Sequence, residues 1–388
     1  MAGTLRRAFA RPGGGGGPRR PIGSAGHALL VNYTAQSYHF GCFATSLPLY
    51  EALIEDGYVV STMAVEDTHA ITLYPKSVEE LDGDVFQRFL EANPIWRRAL
   101  SRADLVVVNG EGTLHGDYNT TRGLLMVAAH AATTLGKRVY IVNHSMFPND
   151  WAEAPPELDA YCRTAASRVT GRVARDAASA RIYAAWGVRA AQGFDCSPLF
   201  AAARGLTRPA GAEKGMLLLG NGVGWTTHVA EAFARGVRRA AEALPAFPRI
   251  GYLTGGLVSP AEDMVFFKAM APILPEMEIV HPTTAEGWIG AIAGARLTVT
   301  GRFHHAMAAM AVGAPFLAIR SHTPKIDGAM ELFGLERHTM DSWAPEFEDE
   351  LATRLGRAFA GDVAVTDAAD RERMLELARV NFAWRGAD

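Results

Sequence analysis

The sequence predicts an α/β fold of two facing Rossmann-like domains with additional C-terminal helices, and three observations carry that prediction. Short β-rich apolar runs alternate with helical periodicities from residue 28 to about residue 320. The alternation stops in the Ala-, Gly-, Arg- and Pro-rich stretch 201–215 and then begins again. Asn109, His144, Asp195, Asn221, Thr254, His281 and Arg302 all fall at or just past the carboxyl ends of predicted strands, the edge where open α/β sheets hold ligands. Strands separated by helices pair in parallel through right-handed crossovers, so each half is a doubly wound layer and the halves enclose a cleft.

Taken in order, the first strand is expected at 28–32. A helix follows over 43–56, with Leu47, Tyr50, Leu53 and Ile54 on one face and Gly57 closing it. Residues 58–65 are strand-like, and 85–100 are helical with Pro94 as an interruption. Asp104-Leu-Val-Val-Val-Asn109 is a continuous buried strand ended by the glycine-rich loop 110–116. Helix 120–135, strand 138–143, helix 157–166, strand 168–174, helix 177–186 and strand 190–194 complete the first half. The second half restarts at strand 216–219, followed by Gly220-Asn-Gly-Val-Gly224, helix 229–244, strand 249–253, helix 261–274 and strand 278–280. Thr283-Thr-Ala-Glu286 has capping-box spacing and opens the helix before a buried strand that starts at Leu297 and gives way to a glycine turn at Gly301. A short Ala/Met helix then leads to a strand ending at Ile319, and 324–333, 346–360 and 368–384 are helical. The domain boundaries expected are a disordered basic tail at 1–25, an N-terminal domain at 26–205, a C-terminal domain at 206–340, and helices at 341–388 packing back on the domains.

With 49% hydrophobic and 20% charged residues, the 388-residue chain has the make-up of a soluble globular enzyme. A net charge of −3 argues against generic nucleic-acid binding, which needs a basic face. Cys42, Cys162 and Cys196 are too widely spaced for a zinc signature or a disulfide framework, which fits a reducing cytoplasm, the expected location. Arg6, Arg7, Arg11, Arg19 and Arg20 surround the run Gly13–Gly17 without the apolar core of a secretory signal. A solvated tail is expected there, and a peripheral contact with acidic lipid headgroups is the alternative. No stretch of about 18 apolar residues spans a membrane.

The strongest motif is Gly301-Arg302-Phe303-His304-His305, at the turn between a buried strand and the amino end of a helix. Free N–H groups at such a turn favour an anion, Arg302 adds a bidentate cation, and His304 a mobile proton. The bland reading pairs Arg302 with a helix-end carboxylate and leaves the histidines as caps. Lys325, in the loop after the next strand, stands where it can close over the same anion. Arg175 and Asp176 lie at a strand-to-helix turn, with Asp176 an N-cap candidate. In the loop after Asn109, Glu111 and His115 are titratable and suited to proton transfer or hydroxyl recognition, but the spacing is neither a dinucleotide nor a P-loop fingerprint. His39 follows the first strand as a hydroxyl-binding candidate. Asp82-Gly-Asp84 reads as turn chemistry, and no metal-ligand spacing occurs.

Arg302-Phe303-His304, the Ala-rich run 306–311, Gly313-Ala314-Pro315, the apolar run 316–319 and Lys325-Ile326-Asp327 together resemble the C-terminal signature of the polysaccharide pyruvyl transferase family. Arg175-Asp176-Ala-Ala-Ser179 is similar to its Arg-Asp/Glu-x-x-Ser element, and 104–112 to its glycine-rich loop. The chain departs from the family pattern where Tyr38-His39-Phe40-Gly41-Cys42 replaces Asn-x-Gly-Asp, and where Arg296 replaces an acidic residue. The resemblance implies a GT-B-type enzyme of cell-surface polysaccharide biosynthesis that moves the enolpyruvyl carbons of phosphoenolpyruvate onto a sugar diol as a ketal. Phosphoenolpyruvate is then a substrate and no cofactor is expected.

In that reading Arg302, His304, Arg175, Lys325 and His305 hold the donor, and His304, with His305 as the alternative, is the acid. Glu111, His115 or His144 is the base or hydroxyl positioner. His39, Asn109 and His144 bind a saccharide or lipid-linked saccharide acceptor on the N-terminal domain. The alternative is a GT-B glycosyltransferase using a CMP- or UDP-activated sugar, with 220–224 and His281-Pro282 gripping the nucleotide. A non-catalytic carbohydrate-binding protein would not need so many ionisable groups in one crevice.

Overall fold

The computed structural model describes residues 20–36, 39–149, 154–244, 246–256 and 261–386. Most of the expected basic tail and Tyr38 lie outside the described residues. The N-terminal sheet is built from β1 (His27–Tyr33), β2 (Val59–Ala64), β3 (Leu105–His115), β4 (Arg138–Phe147), β5 (Gly171–Ala174) and β6 (Ala191–Gln192). The C-terminal sheet holds β7 (Leu217–Gly222), β8 (Ile250–Leu253), β9 (Glu278–Val280), β10 (Leu297–Gly301), β11 (Phe316–Ile319) and β12 (Thr339–Met340). All neighbouring pairs are parallel.

The first sheet runs β2-β1-β3-β4-β5-β6 and the second β12-β11-β10-β7-β8-β9. Strand order therefore reverses between β1 and β3 in the first sheet and between β7 and β10 in the second. Such switch points open a crevice at the strand carboxyl ends. Leu-Val-Val-Val of β3 is buried on both faces, as a central parallel strand must be. Residues Leu29, Val106, Val139 and Ile141 pack one face of the first sheet, and Leu30, Val107, Tyr140 and Val142 the other.

One apolar cluster belongs to both domains. Phe40, Ala44, Phe194 and Phe200 from the first half pack with Trp288, Phe303, Met307 and Met330 from the second. Helix Phe40–Glu55 brings its amino end against helix Phe303–Val312 so closely that a Cβ on Gly41 would overlap His304 Cβ. The backbone joins as well: His39 bridges Gly256 in antiparallel sense, and Phe40 N–H donates to Gly255 O at 3.0 Å.

Several elements differ from expectation. Pro94 starts a separate helix, Pro94–Arg102, rather than kinking one, because proline is well placed at a first helical turn. The expected linker begins inside helix Ser197–Ala203. Thr284, rather than Thr283, caps helix Ala285–Gly294 by accepting from Gly287 N–H. The C-terminal helix ends at Arg379, and Asn381 then reaches into the first domain. Among the described residues no helix is long and apolar enough to cross a membrane.

Candidate active site

In their carboxyl-terminal halves β1, β3 and β4 each carry a non-glycine residue in the left-handed region: Asn32 at φ 61°, Glu111 at φ 42° and Asn143 at φ 51°. Each lies at an irregularity in its strand's register with a neighbour, so the pleat is re-aimed where the cleft begins. Asparagine tolerates this conformation, but glutamate does so at a cost that surrounding contacts must offset. Those contacts are present. Glu111 Oε1 accepts from Thr34 Oγ1, from Ser46 Oγ at 3.3 Å and from Asn109 Nδ2 at 3.0 Å. Asn109 accepts in turn from Asn143 Nδ2 at 2.7 Å. Beside them Cys42 stays a thiol, its proton affinity pushed well up by burial and by Glu111.

The N-terminal wall contributes a buried ion pair, Arg175 Nη1 to Asp195 Oδ2 at 2.9 Å, with Arg175 only 1% exposed. Arg175 Nε also donates to Ser145 Oγ at 3.0 Å, and the guanidinium lies 4.2 Å over the Phe303 ring. Asp176 caps the following helix by accepting from Ser179 N–H at 2.8 Å.

From the C-terminal wall, Arg302 Nε donates to Asn221 Oδ1 at 2.7 Å, and its Nη2 pairs with Asp263 Oδ1. Asp263 sits in the first turn of helix Ala261–Met270 and its Oδ2 accepts from Gly255 N–H at 2.7 Å. Burial opposes its charge, but Arg302 and that N–H hold its proton affinity below the usual carboxylate range. The bland reading of Arg302 as partner of a helix-end carboxylate therefore describes its resting contact.

His304 stands beside both systems, its Nε2 3.5 Å from Asp195 Oδ2 and its Nδ1 3.9 Å from Cys42 Sγ. His305 turns into the interior, where Nδ1 meets Thr300 Oγ1 at 3.2 Å. Burial and Arg302 hold His305 down at about 3, so it is neutral near pH 7 and brings no charge to an anion. That weighs against it as a proton-donating cation. His39 Nε2 lies 3.5 Å from Arg302 Nη1, and burial with that guanidinium lowers it to about 4.

Arg175, Arg302, His304, His305 and His39 line one cleft of about 680 Å³ between the domains, together with Thr34, Cys42, Glu111, Gly112, His115, Tyr118 and Lys325. Gly112 lies beside two of its cations. A Cβ there would sit 3.5 Å from Arg175 Nη2 and 3.5 Å from Lys325 Nζ. Nearer the mouth, the His115 ring lies 4.8 Å from the His322 ring across the cleft.

Two sequence expectations need correction. His144 is fully buried behind the sheet, its Nε2 2.7 Å from Tyr183 Oη, and does not line the cleft. Asn109 is fully buried too, hydrogen-bonded to Glu111 and Asn143, and does not line the cleft. Residues not foreseen include Asp263, Thr34, Ser46, Trp288 and Tyr118. Asp263 looked like an ordinary helix-start acid, and Thr34 and Ser46 carry no motif. Among the described residues no cluster of His, Cys, Asp and Glu has the geometry to hold a metal.

A family model for polysaccharide pyruvyl transferase matches residues 45–323, well over half of the chain. No curated protein sequence matches it. Among solved structures, a UDP-GlcNAc 2-epimerase from Methanocaldococcus jannaschii, in complex with UDP-GlcNAc and UDP, superposes with a TM-score of 0.58 at 11% identity, covering 93% of this chain and 99% of that one. A putative UDP-N-acetylglucosamine 2-epimerase from Listeria monocytogenes gives 0.56 at 13% identity, covering 95% and 98%. Identities this low show the fold alone, and that fold is the GT-B arrangement of two Rossmann-like domains.

Proposed function

We propose for this chain, which belongs to the polysaccharide pyruvyl transferase family, the transfer of the pyruvyl group of phosphoenolpyruvate onto two hydroxyls of a saccharide as a ketal. The observation that carries the reading is the gap over Gly112, flanked by Arg175 Nη2 and Lys325 Nζ, a short step from the Arg302–His304 turn. A donor with both a phosphate and a carboxylate asks for several cations around a small opening.

In this reading Arg175, Lys325 and Arg302 hold the two anionic groups. His304 delivers a proton to C3 of the enolpyruvyl group, which makes C2 electrophilic. Glu111 receives the proton of the first attacking hydroxyl as its oxygen bonds to C2. The C2–O bond to phosphate breaks, and the second hydroxyl closes on C2. Of the two hydroxyl protons, one replaces the proton delivered to C3 and the other leaves with phosphate, so products are the ketal and inorganic phosphate. Asp195 keeps a counter-charge at His304 throughout.

The competing reading is a transferase for a nucleotide-activated sugar, and the M. jannaschii neighbour was solved with UDP-GlcNAc and UDP. His281, however, hydrogen-bonds Thr254 Oγ1 at 2.8 Å and does not line the cleft, which leaves that reading with the glycine loop at Gly222–Gly224. Phosphate release decides between them. Protein incubated with phosphoenolpyruvate and a saccharide panel is expected to release phosphate only when both are present. Consumption of a CMP- or UDP-sugar with no such release would overturn the proposal.

A further inference from the structure

Tyr118 is half exposed, yet its ring is firmly seated. It lies over Gly116, whose φ of +60° and missing side chain bring the backbone under the ring; a Cβ there would come within 2.6 Å of Tyr118 Cε2. The edge of His115 braces it, with ring centroids 5.2 Å apart. An aromatic ring backed by a glycine and open to solvent on the cleft side is a preorganised stacking surface. Across the mouth stand Val223, 42% exposed, and His322, packed beside Gly224. All of them border the same cleft.

The charges divide the cleft in two. Toward the floor are Arg175, Arg302 and Lys325, with the carboxylates Asp195 and Asp263 buried behind the two arginines. At the mouth, His322 is kept neutral at about 3 by burial, by Lys325 and by His115. Its Nδ1 is occupied by Ser321 Oγ at 3.1 Å. With Nδ1 so engaged, Nε2 of this neutral ring donates to or accepts from a hydroxyl according to its tautomer, which suits a sugar rather than an anion.

We infer that Tyr118, His115 and His322 form the acceptor subsite, which binds an uncharged pyranose ring stacked on Tyr118 with a pair of hydroxyls held by the two imidazoles. This rests on the pyruvyl-transfer reading and adds to it the acceptor's class and place. It moves acceptor recognition from His144 and Asn109 to the cleft mouth, where both domains contribute.

The test separates the subsite from the reaction. Saturation-transfer NMR of methyl galacto-, gluco- and mannopyranosides against the full chain reads sugar binding without any donor, and calorimetry with phosphoenolpyruvate reads the donor site. At least one neutral glycoside is expected to show transfer, reduced at least fivefold in Tyr118→Ala and in His322→Ala, retained in Tyr118→Phe, with donor affinity changed less than twofold. Transfer that survives both alanine variants, binding seen only for phosphorylated or uronic sugars, or an equal loss of donor affinity would each overturn the inference. Absent phosphate release with intact, Tyr118-dependent glycoside binding would instead sink the pyruvyl-transfer reading alone.

Discussion

His304 Nε2, from the C-terminal domain, stands 3.5 Å from Asp195 Oδ2, the oxygen that also accepts from Arg175 Nη1 at 2.9 Å. Burial alone would raise the proton affinity of Asp195, but His304 and Arg175 hold it below the usual carboxylate range. One buried negative charge thus serves a cation on its own domain and an imidazole on the other.

Asp195→Asn removes that charge while keeping an acceptor. Phosphate release is expected to fall at least tenfold, measured in the same coupled assay as wild type. Asp195→Ala strands Arg175, and a buried charge without its partner costs on the order of 3–5 kcal/mol, read as a lower urea midpoint. An Asn variant with wild-type turnover would remove Asp195 from the mechanism.

Gly112→Ala is the sharper probe of the donor site. The added methyl makes ordinary contacts of 3.5 Å with Arg175 Nη2 and Lys325 Nζ, so folding is expected to be unchanged. The methyl nevertheless fills the space between the two cations. Donor KM is expected to rise about tenfold or more, equivalent to at least about 1.4 kcal/mol, with an unaltered melting temperature.

Arg302→Ala is expected to weaken phosphoenolpyruvate binding by about 2–5 kcal/mol, part of which reflects Asp263 left buried without its cation. Calorimetry giving unchanged donor affinity would confine Arg302 to its structural pairing with Asp263.

Stability should fall on mild acidification. Burial and neighbouring cations lower His144 and His305 to about 3 and His39 to about 4, against 6.5 when unfolded. Below pH 6.5 the unfolded chain takes up protons that the native fold refuses, so the stability present above 6.5 drains away toward pH 3–4. At pH 5 each of the two fully buried histidines costs on the order of 1–2 kcal/mol. Asp195 and Asp263, both lowered, lose their contribution only at more acid pH. Urea titrations at pH 7 and 5 check the sign; a higher midpoint at pH 5 would contradict it.

The strands were legible because central parallel strands read as unbroken apolar runs, as in Leu-Val-Val-Val of β3. Arg302, His304, Arg175 and Lys325 were legible because their charges interrupt apolar βα units, where burial is costly without a purpose. A strand-end position, however, names the edge of the sheet and not its side. Asn143 faces Asn109 and Thr45, whereas the next residue, His144, points the other way to Tyr183. Asp263 stayed hidden because it meets Arg302 from 39 positions away and looks like any first-turn acid. The left-handed turn at Glu111 had no glycine to announce it.

Asn381 accepts from Asn143 N–H at 2.6 Å and donates to Phe194 O at 2.7 Å, in the interior of the N-terminal domain. Residues 143 and 381 are 238 positions apart. At about 5–20 residues per second of synthesis, β4 waits roughly 10–50 s for this partner to emerge from the ribosome. The N-terminal domain therefore completes the hydrogen bonding around its left-handed Asn143 only after a segment 238 positions farther along the chain has been made.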